Sequence, residues 1–144
     1  MQRALTNKVL NTGGLAIKTG GSALAKTAST IYYLIDGVLC TKAAADMAAL
    51  SGTVTNAKFN VFVFSVNAAG TLATQMGTEA STLGGVVFPA VADGYAPIGF
   101  VIINPTGTGN FVGGTTALDD GTVVPNAVYV NTLQSFFPYA LNPL

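Results

Sequence analysis

The chain has 144 residues with six Lys or Arg, six Asp or Glu, no His, no Trp and one Cys, which excludes intrachain disulfides, Cys/His zinc sites and any nucleophile activated by histidine. Half of it is hydrophobic and only 8% is charged, with mean hydropathy +0.53, whereas soluble domains carry about 25% charged residues. Such a length predicts one domain that buries roughly 70% of its unfolded surface, and such a composition predicts a surface partly hidden inside an assembly.

Taken in chain order, residues 1–30 are rich in Thr, Gly, Ala and Ser and carry Arg3, Lys8, Lys18 and Lys26. They read as an extended N-terminal arm, with at most a short strand at LAIKT, that orders against a partner. Residues 31–35 (IYYLI) and 38–41 (VLCT) flank Asp36-Gly37. Two residues of this type between apolar runs predict a β-hairpin, because both turn positions need positive φ. The run KAAADMAAL, 42–50, has helix-forming composition with Gly52 beyond it as a stop, and predicts the one short helix of the chain. In KFNVFVFSV, 58–66, both alternating faces are largely apolar, which places the strand in the interior of a sheet, covered on both sides. The link Asn67-Ala68-Ala69-Gly70 has turn chemistry and leads into a strand at 71–76, a second hairpin. Further strands are expected at 84–88, 97–103 and 122–131, with Pro125 marking an edge or a bulge in the last. The end, SFFPYALNPL, sets Phe136, Phe137 and Tyr139 beside two prolines, a tail apolar enough to dock on this subunit or another. Strands about every ten residues with one helix predict an all-β fold, a β-sandwich or jelly-roll-like single domain. Its expected organisation is the arm at 1–30 and the β domain with its aromatic tail at 31–144.

The charges are segregated. The first 58 residues hold all six basic side chains against Asp36 and Asp46, a net of +4, and the remainder holds Glu79, Asp93, Asp119 and Asp120, a net of −4. Either a compact fold intermixes the halves, or the asymmetry serves complementarity between copies or between a basic arm and an acidic platform. With a pI near 6.0 and no Lys/Arg cluster there is no footprint for phosphates, so no nucleic-acid partner is expected. The first 21 residues lack the apolar core of a secretory signal, and the long uncharged stretches 59–78 and 94–118 are broken by Asn, Gly and Pro. A cytosolic product with no membrane segment is therefore expected, and one free Cys fits a reducing compartment.

Catalytic and ligand motifs are sparse. No Ser-Lys pattern occurs, Glu79 lies in a polar GTEAST segment, and Asp119-Asp120 lies in the Gly-flanked turn ALDDGT, so these acids read as solvated turn residues, neither a glycosidase pair nor a calcium loop. The glycine run NPTGTGNFVGGTT, 104–116, lacks the following helix and the Lys-Ser/Thr of a P-loop, and reads as a loop joining strands. Phe59, Phe62, Phe64, Phe88 and Phe100 sit in apolar runs with no cluster of cations, Lys58 beside Phe59 being the one neighbour, and are expected in the core. The chain is expected to be no enzyme and to hold no metal or cofactor.

The segments VTNAKFNVFVFSVNAAGTLATQMGTEASTL (54–83) and APIGFVIINPTGTGNFVGGTTALDDGTVVPNAVYVNT (96–132), with KTGGSALAKTASTIYYLIDGV (18–38) before them, resemble small virion structural proteins of tailed bacteriophages. In size and β character the chain is most similar to head decoration or cement proteins. That resemblance implies a jelly-roll or related β fold, a homo-oligomer (dimer or trimer), the major capsid protein as partner, a virion location after assembly in the host cytoplasm, and no catalytic residues. Multivalent contact on a shell amplifies modest affinities, and the expected contact residues are Arg3, Lys8, Lys18 and Lys26 of the arm with Phe136, Phe137 and Tyr139 of the tail. A tail or fibre component, displaying 104–116 as a tip, and a pilus-type subunit that exchanges strands are the alternatives.

Overall fold

A computed structural model describes residues 7–133. The chain is all-β. Its strands are β1 (Lys8–Val9), β2 (Leu15–Ile17), β3 (Ala25–Thr27), β4 (Ile31–Ile35), β5 (Val38–Lys42), β6 (Thr53–Val54), β7 (Asn60–Asn67), β8 (Leu72–Met76), β9 (Tyr95–Ile103), β10 (Phe111–Val112) and β11 (Val128–Asn131). They form a three-stranded sheet β1-β4-β5, a four-stranded sheet β11-β9-β7-β8 and two pairs, β2-β3 and β6-β10. All pairing is antiparallel. The two larger sheets face each other in a sandwich-like arrangement, Ile31, Tyr33 and Ile35 of β4 sharing one core with Phe62, Phe64 and Val66 of β7 and Ala96, Ile98, Val101 and Ile103 of β9.

Strand β7 is the centre of the molecule. The doubly apolar alternation of NVFVFSV leaves no face for water, and every residue from Asn60 to Val66 is buried. Phe62, Phe64 and Val66 point into the main core, while Val61 and Val63 point to a second core with Val91, against which Val86, Tyr95, Phe100 and Ile102 pack. A bulge in the β7-β9 pairing pairs Phe64 with Gly99 but Ser65 with Pro97, leaving Ile98 as the extra residue. The bulge switches the side-chain parity of β9, so Ala96 and Ile98 before it and Val101 and Ile103 after it all reach the main core. It also admits Pro97 to an inner strand, where a residue without an N–H is otherwise excluded. Gly99 sits where a Cβ would come within 2.3 Å of the Val130 carbonyl and 2.6 Å of Leu15 Cδ1, and its missing side chain lets β11 and β2 close over β9.

The hairpins form as their turn residues require. Asp36 (φ 51°) and Gly37 (φ 81°) join β4 and β5 in a two-residue turn. Asn67 accepts from the N–H of Ala69 (3.0 Å) and Thr71 (2.9 Å) through Oδ1, and Gly70 takes φ 81° in the β7-β8 turn.

Four expectations are corrected. Residues 42–50 form no helix: Asp46 bridges Lys26, Thr27 N–H donates to the Ala45 carbonyl (2.9 Å) and Met47 N–H to the Ala25 carbonyl (2.8 Å). A nine-residue helix is marginal alone, and lying along β3 gives the backbone partners while burying Met47 and Leu50, so tertiary pairing overrides alanine propensity. Residues 7–30, expected as an extended arm, belong to the body. Val9, Leu15 and Ala25 are core residues, and Asn7 and Asn11 accept through Oδ1 from the Asp36 (2.9 Å) and Tyr32 (2.8 Å) N–H groups. The strand expected at 84–88 is a 3-10 turn, Leu83–Gly85, followed by a single bridge between Thr78 and Val87; Val86 packs against the second core, while Leu83, Val87 and Phe88 are exposed. The strand expected over 122–131 begins only at Val128, because Asp120 organises a turn before it, accepting from Thr122 N–H through Oδ1 (2.9 Å) and from Val124 N–H through its carbonyl (2.7 Å). Pro125 lies between that turn and β11, an edge strand.

Leu15 separates a core strand from an accessory arm. Leu15→Ala is expected to cost about 2–5 kcal/mol in urea denaturation, whereas a leucine on a detached arm would leave the midpoint unchanged.

Candidate interaction surface

The outer face of the β1-β4-β5 sheet is built by simple alternation. Ile31, Tyr33 and Ile35 point inward, so Tyr32 and Leu34 point outward, and the register sets Lys8 and Leu39 beside Leu34 and Thr41 beside Tyr32. Leu10 extends the row, its N–H donating to the Tyr32 carbonyl at 2.8 Å. At the hairpin end Val38 overhangs the core. The exposures are large for apolar side chains: Val38 64%, Leu39 63%, Tyr32 49% and Leu10 44%. Scattered apolar residues on a surface are ordinary, but three neighbours on one sheet face, Leu10, Tyr32 and Leu39, with Val38 exposed at the hairpin end beside them, make an interaction patch. Lys8 is the cation at its rim.

The edge of this sheet is open as well. In a two-residue hairpin the residues flanking the turn, Ile35 and Val38, exchange their hydrogen bonds. The next pair, Leu34 and Leu39, does not, and the alternation continues to Tyr33–Cys40 and Tyr32–Thr41. The other side of β4 agrees: the Tyr32 N–H meets Asn11 and its carbonyl meets Leu10, both away from β5. The backbone N–H and C=O groups of Leu39 and Thr41 therefore face outward, with no partner among the described residues. Edge strands are usually blunted by lysine, proline or a bulge, and β5 has only Lys42, at its end.

The structure distributes the basic residues expected at a partner surface. Lys8 lies on the outer face of the three-stranded sheet, while Lys18 and Lys26 belong to the β2-β3 hairpin. Lys18 forms an ion pair with Asp46 at 2.8 Å, the two side chains 42% and 45% exposed, which in water is worth about 0–1 kcal/mol. Arg3, Phe136, Phe137 and Tyr139 lie outside the described residues.

The acids and the glycine loop tie the fold. Both carboxylate oxygens of Asp119 accept from the Gly21 N–H at 3.1 Å, across 98 residues of chain. Glu79 accepts from the Thr55 N–H at 2.9 Å, and that bond holds its carboxyl below the usual range, aided by Lys58. The 104–110 stretch is held by Asn56, a residue the sequence reading did not single out. Its Nδ2 lies 2.9 Å from the Pro105 and Gly107 carbonyls and 3.0 Å from that of Gly109, and its N–H donates to Asn110 Oδ1 at 2.9 Å. The only signal in the sequence is that Asn56 stands in a polar turn before the β7 run. Among the described residues no three His, Cys, Asp or Glu side chains converge as a metal group, and no helix is long and apolar enough to cross a membrane.

Compared with known proteins, the chain matches no family model, no curated protein and no solved structure.

Two predictions follow from these ties. Asn56→Ala is expected to cost about 1–3 kcal/mol, because it leaves several carbonyls without their donor, and to speed hydrogen exchange at Ala57 and Gly107. Burial, with a contribution from Asp119, raises the Tyr129 hydroxyl from 10.0 to about 12, and its Oη has no partner among the described residues. The folded state thus retains a proton that the unfolded state releases, so stability intact below pH 10 falls as pH rises through 10 toward about 12. Tyr129→Phe is expected to flatten that alkaline loss in urea titrations and to leave neutral-pH stability equal or higher.

Proposed function

We propose that this chain is a non-enzymatic virion structural protein that binds the outer surface of a tailed-phage head as an oligomeric decoration, clamping neighbouring copies of the major capsid protein. The observation that carries the reading is the exposed apolar face Leu10, Tyr32 and Leu39, with Val38 exposed at the hairpin end, beside an open strand edge. Such a surface is a liability on a free monomer and an asset on a subunit that is always docked. The low charge of the whole chain agrees, since surface buried in an assembly needs little charge to stay in solution. The phage-virion resemblance of the β7-β8 and β9-β11 segments supplies the assembly. A shell repeats its sites hundreds of times, so a clamp of modest affinity at each site still raises the stability of the whole.

The decisive experiment mixes the purified protein with undecorated shells assembled from the major capsid protein of the same phage. Saturable co-sedimentation, and shells that then withstand higher temperature, is the expected result. Protein that stays in the supernatant at every ratio overturns the head reading, and its polymerisation into rings or tubes would move the assignment to the tail.

A further inference from the structure

The open edge of β5 has a feature that selects its occupant: it is self-complementary. Antiparallel pairing of β5 with itself must set outward-facing residues opposite outward-facing residues, and these are Leu39 and Thr41. Three two-fold registers satisfy that rule. Centring the axis on Leu39 spends one strand end on the turn residue Gly37, and centring it on Thr41 pairs Leu39 with Ala43, beyond the end of β5. Only the register centred on Cys40 keeps both bonding pairs inside the strand, Leu39 with Thr41 of the partner subunit and Thr41 with Leu39 of the partner subunit.

The charges are compatible with that register. Neither Asp36 nor Lys42 has an ion-pair partner among the described residues. With Cys40 on the axis, Lys42 of the partner subunit stands opposite Val38, at the same end of the joined strands as the Asp36-Gly37 turn. The two-fold repeats that arrangement at both ends of the joined strands. It also continues the outer apolar face across the junction, because Leu39 lies on it beside Leu34 and Tyr32.

We infer that the docking partner of β5 is a second copy of this chain, joined edge to edge in an antiparallel two-fold pairing centred on Cys40, which makes one six-stranded sheet from two three-stranded ones. The inference deepens the proposed function by fixing how two subunits of the decoration are joined, and rests on it for the purpose of the dimer.

Cys40 supplies the test. At the axis the two cysteines form a non-hydrogen-bonded cross-strand pair, with Cα atoms about 4.5 Å apart, inside the 4.4–6.8 Å range that a disulfide spans. Light scattering of the full chain is expected to give twice the chain mass, falling to one chain mass on dilution. Mild oxidation with diamide, which takes the two thiol hydrogens and is reduced to the hydrazine as the S–S bond forms, is expected to trap a reducible covalent dimer that Cys40→Ser does not form. Leu39→Lys changes a side chain already in solvent and is expected to weaken association at least tenfold, and to abolish trapping at the same concentration, with the thermal midpoint of the monomer unchanged. Thr41→Pro removes an outward N–H without breaking a β4-β5 hydrogen bond, and is expected to weaken association and trapping likewise.

One chain mass at every concentration overturns the inference, whether another protein or residues 134–144 then cover the edge. A dimer whose trapping survives both edge variants overturns it too. The shell experiment separates this outcome from the proposed function: a monomer that co-sediments with shells refutes the pairing alone, and a trapped dimer that ignores shells refutes the decoration reading alone.

Discussion

Strand β7 hydrogen-bonds along both edges and packs on both faces, and most of the molecule is placed by one of those four contacts. Its edges hold β8 and β9. One face, through Phe62, Phe64 and Val66, collects the three-stranded sheet, the β2-β3 hairpin and, by the tilted contact of Phe62 with Phe111 at 5.9 Å, the β6-β10 pair. The other face, through Val61 and Val63, draws the irregular segment around Val86 and Val91 over itself, secured by the edge-on contact of Phe88 with Phe100 at 4.9 Å. A strand with no solvent face leaves no freedom of register, since a slip by one residue would exchange the two cores.

A chain with so few charges must tie its loops by other means, and asparagine does much of that work. Asn7 and Asn11 fasten the first strand to β4, Asn56 holds the glycine loop, Asn67 shapes a turn while its carbonyl accepts from the Tyr33 hydroxyl at 2.8 Å, and Asn131 accepts from the Leu15 N–H at 3.0 Å. An amide both donates and accepts, so it satisfies backbone groups that face away from a ladder without the desolvation cost of a buried charge. Asp119 and Asp120 act in the same way, as acceptors for backbone N–H groups.

The surface left over is informative because the interior is so well covered. One outer sheet face keeps three apolar side chains in solvent, and the strand at its edge keeps two residues' backbone groups unpaired among the described residues. Both features lie on the β4-β5 hairpin, and the same geometry, an alternating strand ending at an edge, produces both. An assembly subunit needs such a face, and a two-fold through the edge uses the unpaired groups and the apolar row together.

The sequence by itself determined whatever depends on neighbours along the chain. Asp36-Gly37 specified the hairpin because its φ angles demand those residues, the alternation of residues 58–66 specified a strand buried on both faces, and the absence of histidine restricted the chemistry. Tertiary structure decided what depends on a partner far away in sequence. Residues 42–50 have the local preference of a helix, but the open side of β3 took them as an extended segment. Residues 7–30 have the composition of an arm, yet Leu15 fits against Gly99 and enters the core. The candidate surface was half legible: IYYLI and VLCT were visibly a hairpin, and Lys8 was singled out for its charge. Which side of that hairpin stays in solvent followed only from which face met β7, since alternation along a strand names two faces and the packing of another strand chooses between them.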